Sequence, residues 1–352
     1  MSRLRLSAVV LISGIALAAC GGSSSGGGDQ VPGSGPLSGT TITLYNSQHE
    51  QTTRALINAF TAKTGVQVRV KDGDEDALTA QIEQEGSHSP ADVFFTENSN
   101  WLQQLDDRHL LAHVDSSTLD NVPAGDSAPN GDWVGVSSRV SAIVYNPSKI
   151  SPSQLPKSIL DLAQPQWKGK IELAPAETDF WPVVASVARA KGDAAALAWL
   201  RGIKANAGSN ANVPDNETLT SDVDKGTTGL GLINHYYYYR LRAEAGGPSK
   251  FDAKLAYFAP RDPGYVEAIS GAGIMASTQH LAAAQAFLTF LTSDAGQRIL
   301  ATSDSYEYPI HPGIAASSEM PPLKDLKPND FTPAELGTGL HAKDLMQEVG
   351  LL

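Results

Sequence analysis

Ionisable side chains follow several apolar stretches of the sequence, which are positions from which a side chain could reach a ligand. His49 follows "TITLYNSQ", Glu97 follows "ADVFFT", and the adjacent phenols of Tyr236 and Tyr237 follow "GLGLINH". Imidazole and oxygen-anion side chains are common metal ligands. Singly, each position is weak, because a lone histidine after a strand is ordinarily a surface or hydrogen-bonded residue. A glutamate there equally suits the positive end of a helix.

The run of four tyrosines from Tyr236 to Tyr239 is difficult to explain as core packing alone. Each buried phenol needs a hydrogen-bond partner, and four consecutive side chains cannot share one apolar face. Tyr238 and Tyr239 nevertheless fit a core or surface role at least as well as a ligand role. A one-residue change of register would also exchange roles within the run.

A fourth apolar stretch, "IELAPA", leads into Glu177, Thr178 and Asp179. These side chains could cap the helix that follows, where Thr178 or Asp179 would satisfy free backbone amides. They could also reach a ligand, because they too follow a strand.

The stretches before these residues alternate between strand and helix patterns. "TITLY" and "VQVRV" predict strands on either side of the amphipathic helix "EQTTRALINAFTAKTG", which Gly65 closes. A second series includes "KIELA", two helices and "GLGLI". In open sheets of this kind, ligands bind beyond the carboxyl ends of the strands, so the candidate residues are expected in a cleft.

Two such series predict an α/β protein with two lobes, each a mixed sheet flanked by helices. The length of 352 residues supports this, because single hydrophobic cores stop growing at roughly 250 to 300 residues. The late segment "AISGAGIMA" lacks a complete series of its own, so the chain is expected to return to the first lobe across hinge strands. The predicted boundaries are 40–140 plus 266–320 for the N-terminal lobe and 141–265 plus 321–352 for the C-terminal lobe.

The first 39 residues have the pattern of an export signal and a tether. Arg3 and Arg5 precede an apolar run that is too short to span a membrane and ends in "LAAC", similar to a bacterial lipobox. We therefore predict a lipoprotein signal peptide over 1–20 with lipidation at Cys20; an ordinary secretory signal with an incidental cysteine is the alternative. Residues 21–39, rich in Gly and Ser, predict a flexible tether. The expected location is outside the cytoplasm, lipid-anchored to the bacterial cell membrane.

The composition excludes several classes of function. The net charge is −12 and no block of Lys or Arg occurs, which argues against binding to nucleic acid. Outside the Gly- and Ser-rich segment 21–39, the sequence has no G-x-S-x-G; it also has no H-E-x-x-H and no phosphate-binding glycine loop, so we do not expect an enzyme. We expect a monomer whose mature part lacks cysteine and hence disulfides.

The combination of motifs resembles a known family. "YNSQH", "ADVFFTEN", "GLINHYY", "SGAGIMA" and "YEYPI", in this order, are similar to the ferric-ion-binding proteins, the extracytoplasmic solute-binding components of bacterial iron(III) ABC transporters. The resemblance implies a two-lobed periplasmic-binding-protein-like type II fold. It also implies that His49, Glu97, Tyr236 and Tyr237 ligate Fe(III) in the cleft. By the register of this match, His235 is interpreted as a non-ligand.

The implied ligands suit a trivalent ion. One Glu and two phenolates supply three negative charges, which balance Fe(III) but leave a divalent ion with net negative charge. Deprotonating two phenols of pKa near 10 at pH 7 costs roughly 8 kcal/mol, and the metal must offset it.

The family also implies a bound phosphate or carbonate, held by polar residues that match Asn98, Asn216 and Asn234. Here the sequence departs from the pattern, because Glu177, Thr178 and Asp179 replace small residues and two carboxylates should repel a phosphate. We expect one of these carboxylates, or water, to complete the iron shell. Delivery would be to an ABC transporter permease. The alternative function is a binding protein of the same fold for an organic cation, such as a polyamine or a thiamine-like molecule, or for a small anion.

Overall fold

The structure, a computed structural model, describes residues 36–352. The predicted signal peptide with Cys20, and the tether as far as residue 35, lie outside the described residues. The strands are β1 (Thr41–Ser47), β2 (Gln67–Asp72), β3 (Val93–Thr96), β4 (Leu111–Ala112), β5 (Trp133–Tyr145), β6 (Ile171–Glu172), β7 (Leu230–Asn234), β8 (Lys254–Ala256), β9 (Glu267–Met275) and β10 (Tyr308–Pro309). The α-helices are α1 (Glu50–Thr64), α2 (Glu75–Glu85), α3 (Ser99–Asp107), α4 (Ser116–Leu119), α5 (Trp181–Lys191), α6 (Asp193–Ala207), α7 (Asn216–Asp224), α8 (His235–Glu244), α9 (Leu281–Thr292), α10 (Asp294–Ala301), α11 (Pro333–Leu336) and α12 (Leu340–Glu348).

The first sheet is mixed and has the strand order β2-β1-β3-β9-β5. Strand β1 is parallel to both β2 and β3, whereas β9 is antiparallel to β3 and to β5. Helix α1 returns the chain from β1 to β2 and ends at Gly65, whose φ of 75° is the left-handed conformation that glycine adopts without strain. Phe60 of α1 packs edge-on against Phe287 of α9, so these helices share one face of the sheet.

Strand β5 connects the two sheets. Its residues are all buried; Trp133 to Val140 pair with β9, and Ser141 to Tyr145 pair with β7 of the second sheet. The second sheet continues from β7 to a parallel β6, and β8 pairs with the same half of β5. The prediction of mixed sheets flanked by helices and joined by a crossing strand is confirmed.

The C-terminal segment packs on the helices of the second sheet. Helix α12 lies against α5 and α6, and the Lys204 ammonium of α6 donates to the carbonyls of Val349 and Gly350, at 2.7 Å each. Asn100 on α3 also donates to the Thr338 carbonyl at 3.1 Å, which ties the segment to the first sheet. Among residues 36–352, no helix has the length and apolar character needed to cross a membrane.

Candidate metal centre

The first pair of predicted ligands lies at the carboxyl ends of two neighbouring strands. Strands β1 and β3 are parallel with Ser47 opposite Thr96, so the residues that follow them emerge side by side. His49 immediately precedes α1, and Glu97 lies between β3 and α3. The His49 Nδ1 is 3.3 Å from the Glu97 Oε1, which brings the two side chains into direct contact.

The second pair comes from the other sheet. Tyr236 and Tyr237 occupy the first turn of α8, directly after β7, with their ring centroids 4.3 Å apart. Both phenols lie 2.9 Å from one oxygen, the Oδ2 of Asp179, which belongs to a short 3₁₀ turn after β6. The Tyr236 hydroxyl is also 3.1 Å from the Glu97 Oε2. Groups from both sheets therefore converge on one point.

The protonation state of His49 leaves one ring nitrogen free. Burial, and then the charges of Arg240 and Arg139, lower the pKa of His49 to about 3, so its ring is neutral at pH 7. If Nδ1 carries the proton and donates it to Glu97, Nε2 keeps a lone pair. This Nε2 is buried and has no hydrogen-bond partner among the described residues, as expected for a metal ligand.

The oxygen groups of the candidate site carry protons or lie close to another negative charge. Burial, followed by the charge of Asp179, raises the pKa values of Tyr236 and Tyr237 well above 10, so both phenols are protonated at pH 7. The same two causes raise the pKa of Glu97 well above its ordinary value. A cation at this point would relieve the repulsion and displace the phenolic protons. Within residues 36–352, His, Cys, Asp and Glu alone form no cluster of three or more with metal-site spacing, so the phenols are needed to complete a site.

The predicted anion pocket surrounds Asp179. Asn98 is buried, and its Nδ2 lies 2.9 Å from Glu75, 3.3 Å from the Thr178 hydroxyl and 3.5 Å from the Asp179 Oδ1. Its own Oδ1 has no partner among the described residues. Asn216 lines a small cavity together with Asp179, and the buried Asn234 Nδ2 is likewise unpartnered.

The residues at 177–179 do not cap the helix that follows. Neither the 3₁₀ turn nor α5 has a side-chain cap, so the capping alternative is wrong for this segment. Thr178 instead donates to Glu75 at 2.6 Å, and Asp179 accepts from the phenols. Glu177 has no hydrogen bond to Tyr236 or Tyr237; burial and then Asp179 raise its pKa to about 8.

The other members of the aromatic run face away from this point. His235 accepts from the Val140 amide through Nδ1 and donates to the Tyr306 carbonyl through Nε2, so neither ring nitrogen is available to a metal. Tyr238 packs edge-on against Phe251, and Tyr239 stacks on Tyr306. The run therefore turns its members onto different faces of α8, which explains how all four can be buried.

Two buried charged residues were missed by the sequence analysis. Glu75, at the start of α2, is buried and accepts from Thr178 across the gap between the sheets, as well as from Thr96, Asn98 and Trp101. It follows β2, so the strand-end rule that selected Glu97 would have found it.

Arg139 of β5 was the other omission. Its side chain is fully buried, with Nε 3.5 Å from Asp179 and Nη1 3.4 Å from Glu307. Burial alone would lower the pKa of Arg139, but Asp179 and then Tyr236 raise it, so the guanidinium stays charged. A single charged residue inside the apolar stretch "WVGVSSRVSAIVY" was the available signal.

Two lobes around a cleft lined by metal-ligating side chains are typical of a solute-binding protein. Comparison with known proteins gives the same class. Residues 88–331 match the model of a family described as bacterial extracellular solute-binding protein. The Fe(3+)-binding periplasmic protein of Serratia marcescens is 40% identical over 88% of this chain and 90% of its own. The major ferric iron-binding protein of Neisseria meningitidis serogroup B is 35% identical over 88% and 93%.

Solved structures give the same result. The crystal structure of iron-bound HitA from Pseudomonas aeruginosa is 39% identical, has a TM-score of 0.83, and covers 88% of this chain and 99% of its own. The predicted type II fold is thereby confirmed. The chain belongs to the bacterial extracellular solute-binding proteins and, within them, to the ferric-ion-binding family.

Proposed function

We propose that this protein binds ferric ion between its two lobes through His49, Glu97, Tyr236 and Tyr237, and delivers it to an ABC-type permease for iron uptake. The observation that carries the proposal is the convergence of both phenolic oxygens on Asp179, with the Tyr236 oxygen also next to Glu97. The unpartnered His49 Nε2 supports it. The similarity to proteins named for ferric iron supports it further.

Charge balance favours a trivalent cargo. Glu97 and two phenolates together offset three positive charges, whereas a divalent ion would leave an uncompensated negative charge in a buried site. Because burial raises both phenolic pKa values above 10, deprotonation costs more than the roughly 8 kcal/mol expected for exposed phenols. Only a strong interaction between the metal and the phenolates offsets that cost.

Asp179 takes the place of the exogenous anion in this proposal. Its Oδ2 already contacts both phenols, and its neighbour Arg139 supplies a positive charge that compensates a fourth anionic ligand. Asn98 lies within hydrogen-bond distance of Thr178 and Asp179, and Asn216 lines a cavity together with Asp179. Asn234 remains a proposed member of this region on the resemblance alone. Glu177 accepts no hydrogen bond from the phenols and is therefore placed outside the shell.

The hinge lies where β5 leaves the first sheet. The change of pairing between Val140 and Ser141 supports lobes of 40–140 plus 266–320 and 141–265 plus 321–352. His49 and Glu97 then belong to one lobe and the tyrosines to the other. Iron bound to both lobes stabilises the closed state, and opening at the permease separates the ligands.

The protein acts as a monomer held at the outer side of the bacterial cell membrane by a lipid on Cys20. The residues "LAAC" before a Gly- and Ser-rich segment support this location. In cells given radiolabelled palmitate, the label should be incorporated into the native chain and not into the Cys20→Ser variant of this protein. Equal labelling of both would contradict the proposed anchor.

Ferric binding is tested by colour. Purified protein mixed with ferric citrate should develop a phenolate-to-iron absorption band with a stoichiometry of one iron per chain. Tyr236→Phe and Tyr237→Phe should each lose most of the band. A native protein that stays colourless, and takes up no iron in calorimetry at pH 7, would refute the proposed function.

A further inference from the structure

A cavity of about 630 Å³ lies directly against the candidate metal centre. His49, Glu97, Asp179 and Tyr237 form part of its wall, so it is the route by which a solute reaches the centre. Its volume is large enough for a hydrated ion or a small metal complex. We call its outer part the acidic vestibule, defined by the carboxyl side chains of Glu50, Asp72, Asp74, Asp76 and Glu177.

The charged side chains that line this cavity are carboxylates. No Lys or Arg side chain lines the cavity in the part of the chain that the structure describes. Glu50, Asp74 and Asp76 are exposed and form no ion pair with a described basic side chain. Asp72 is compensated by Arg54 at 2.7 Å, so it adds little net charge.

Two further side chains, Glu177 and Arg240, bear on the net charge near the acidic vestibule. Glu177 is partly buried next to the metal centre, so it is not counted in the excess charge of the exposed carboxylates. Arg240, whose charge acts on His49, is itself 3.6 Å from Glu217. The net excess is therefore carried by Glu50, Asp74 and Asp76.

We infer that the acidic vestibule selects the form in which iron arrives: it admits cationic or neutral ferric species and retards polyanionic ferric chelates. This inference rests on the proposed function of the same cleft. In this inference the carboxylates of the acidic vestibule do not ligate iron. Their electrostatic potential attracts or repels an iron complex as it approaches the cavity. Charges of one sign in a cleft change association rates by about 10- to 1000-fold at low salt, and salt screens the effect.

The test compares capture rates from two iron donors. Iron uptake would be followed by stopped-flow quenching of tryptophan fluorescence, since Trp181 lines the cavity. One donor is ferric citrate in excess citrate, a polyanion; the other is ferric acetohydroxamate, which is neutral or cationic. The variant is Asp74→Asn with Asp76→Asn. The matched control is Asp120→Asn with Asp252→Asn, two exposed residues outside the cavity.

The vestibule variant should capture iron from citrate about tenfold faster than the native protein at low ionic strength, with the difference shrinking as salt is added. Capture from acetohydroxamate should be unchanged or slower. The control should match the native protein with both donors. Equal acceleration with both donors, acceleration in the control, or no change at any salt concentration would overturn the inference.

Failure of the inference is distinguishable from failure of the proposed function. At saturation, the native, vestibule and control proteins should all hold one iron with the same phenolate absorption, whatever their rates. Loss of that absorption in the native protein would refute the proposed function. Normal absorption with identical capture rates would refute only the selection by charge.

Discussion

Replacing Asp179 should make iron binding dependent on an added anion. The Asp179 carboxylate is buried, accepts hydrogen bonds from both phenols at 2.9 Å, and lies 3.5 Å from the Arg139 Nε. If it ligates iron, the native protein already contains its own fourth anionic ligand. Asp179→Ala removes that charge and opens a gap of carboxylate size beside Arg139, which a phosphate or carbonate ion can enter.

The magnitude follows from the contacts that are lost. Truncating one partner of a buried, hydrogen-bonded charge pair typically costs about 2 to 5 kcal/mol. We therefore expect Asp179→Ala to bind iron roughly 100- to 1000-fold more weakly in phosphate-free buffer, which corresponds to about 2.7 to 4 kcal/mol. Millimolar phosphate should restore much of this loss. Glu177→Ala is the matched control and should change the affinity by about threefold or less, because the phenols donate to Asp179 and not to Glu177.

The assay is competition with a chelator, monitored through the phenolate-to-iron band, with and without phosphate or carbonate. Circular dichroism and thermal unfolding of the iron-free variants would show that both are folded, which matters because Arg139 keeps only Glu307 as a partner. Strong anion dependence in the native protein, or an unchanged affinity in Asp179→Ala, would refute the role of Asp179.

Three further predictions concern the same cleft. Tyr236→Phe or Tyr237→Phe should lower iron affinity by about 100-fold or more, whereas Tyr238→Phe, which changes a phenol that faces Phe251, should leave affinity and colour intact in the same titration. Thr178→Val removes the 2.6 Å hydrogen bond that Thr178 donates to Glu75 across the cleft, which should destabilise the closed state by about 1 to 2 kcal/mol. Iron binding should weaken about tenfold, and the radius of gyration in X-ray scattering should increase. An unchanged radius of gyration and an unchanged affinity would contradict this prediction. Because burial keeps both ligand phenols protonated at pH 7, iron binding should release at least two protons, and the affinity for iron should fall as the pH falls. Calorimetry in buffers of different ionisation enthalpy measures the number of protons released. Release of fewer than two protons would be inconsistent with two phenolate ligands.

Much of the fold was accessible from the sequence because local patterns and tertiary context agree. The stretch "EQTTRALINAFTAKTG" has helical periodicity and a terminal glycine, and α1 ends at Thr64 with Gly65 in the left-handed conformation. The stretch "WVGVSSRVSAIVYN" is long, apolar and rich in valine, which is typical of a strand, and β5 spans Trp133–Tyr145. That β5 changes sheets after Val140 depends on pairing with distant strands, which no local pattern records.

The candidate site was accessible through the rule that ligands gather at the carboxyl ends of strands. His49, Glu97 and the tyrosine pair all follow strands, and the structure brings them together. Which of Glu177 and Asp179 contacts the phenols was not accessible, because it depends on which side chain the 3₁₀ turn directs at them. Glu75 and Arg139 each had a signal in the sequence, a position after a strand and a lone charge in an apolar stretch. Their partners Thr178 and Asp179 lie far away in the sequence, so what they contact was not accessible.

Anomalous diffraction at the iron absorption edge, from crystals of the ferric-loaded protein, would locate the metal and its ligands directly. We predict one strong peak between the lobes, bonded to both phenolic oxygens of Tyr236 and Tyr237, to Glu97 and to the Nε2 of His49, with an Asp179 oxygen in the position of an external anion. A peak elsewhere, or electron density in which the two tyrosine rings turn away from the metal, would contradict the central claim.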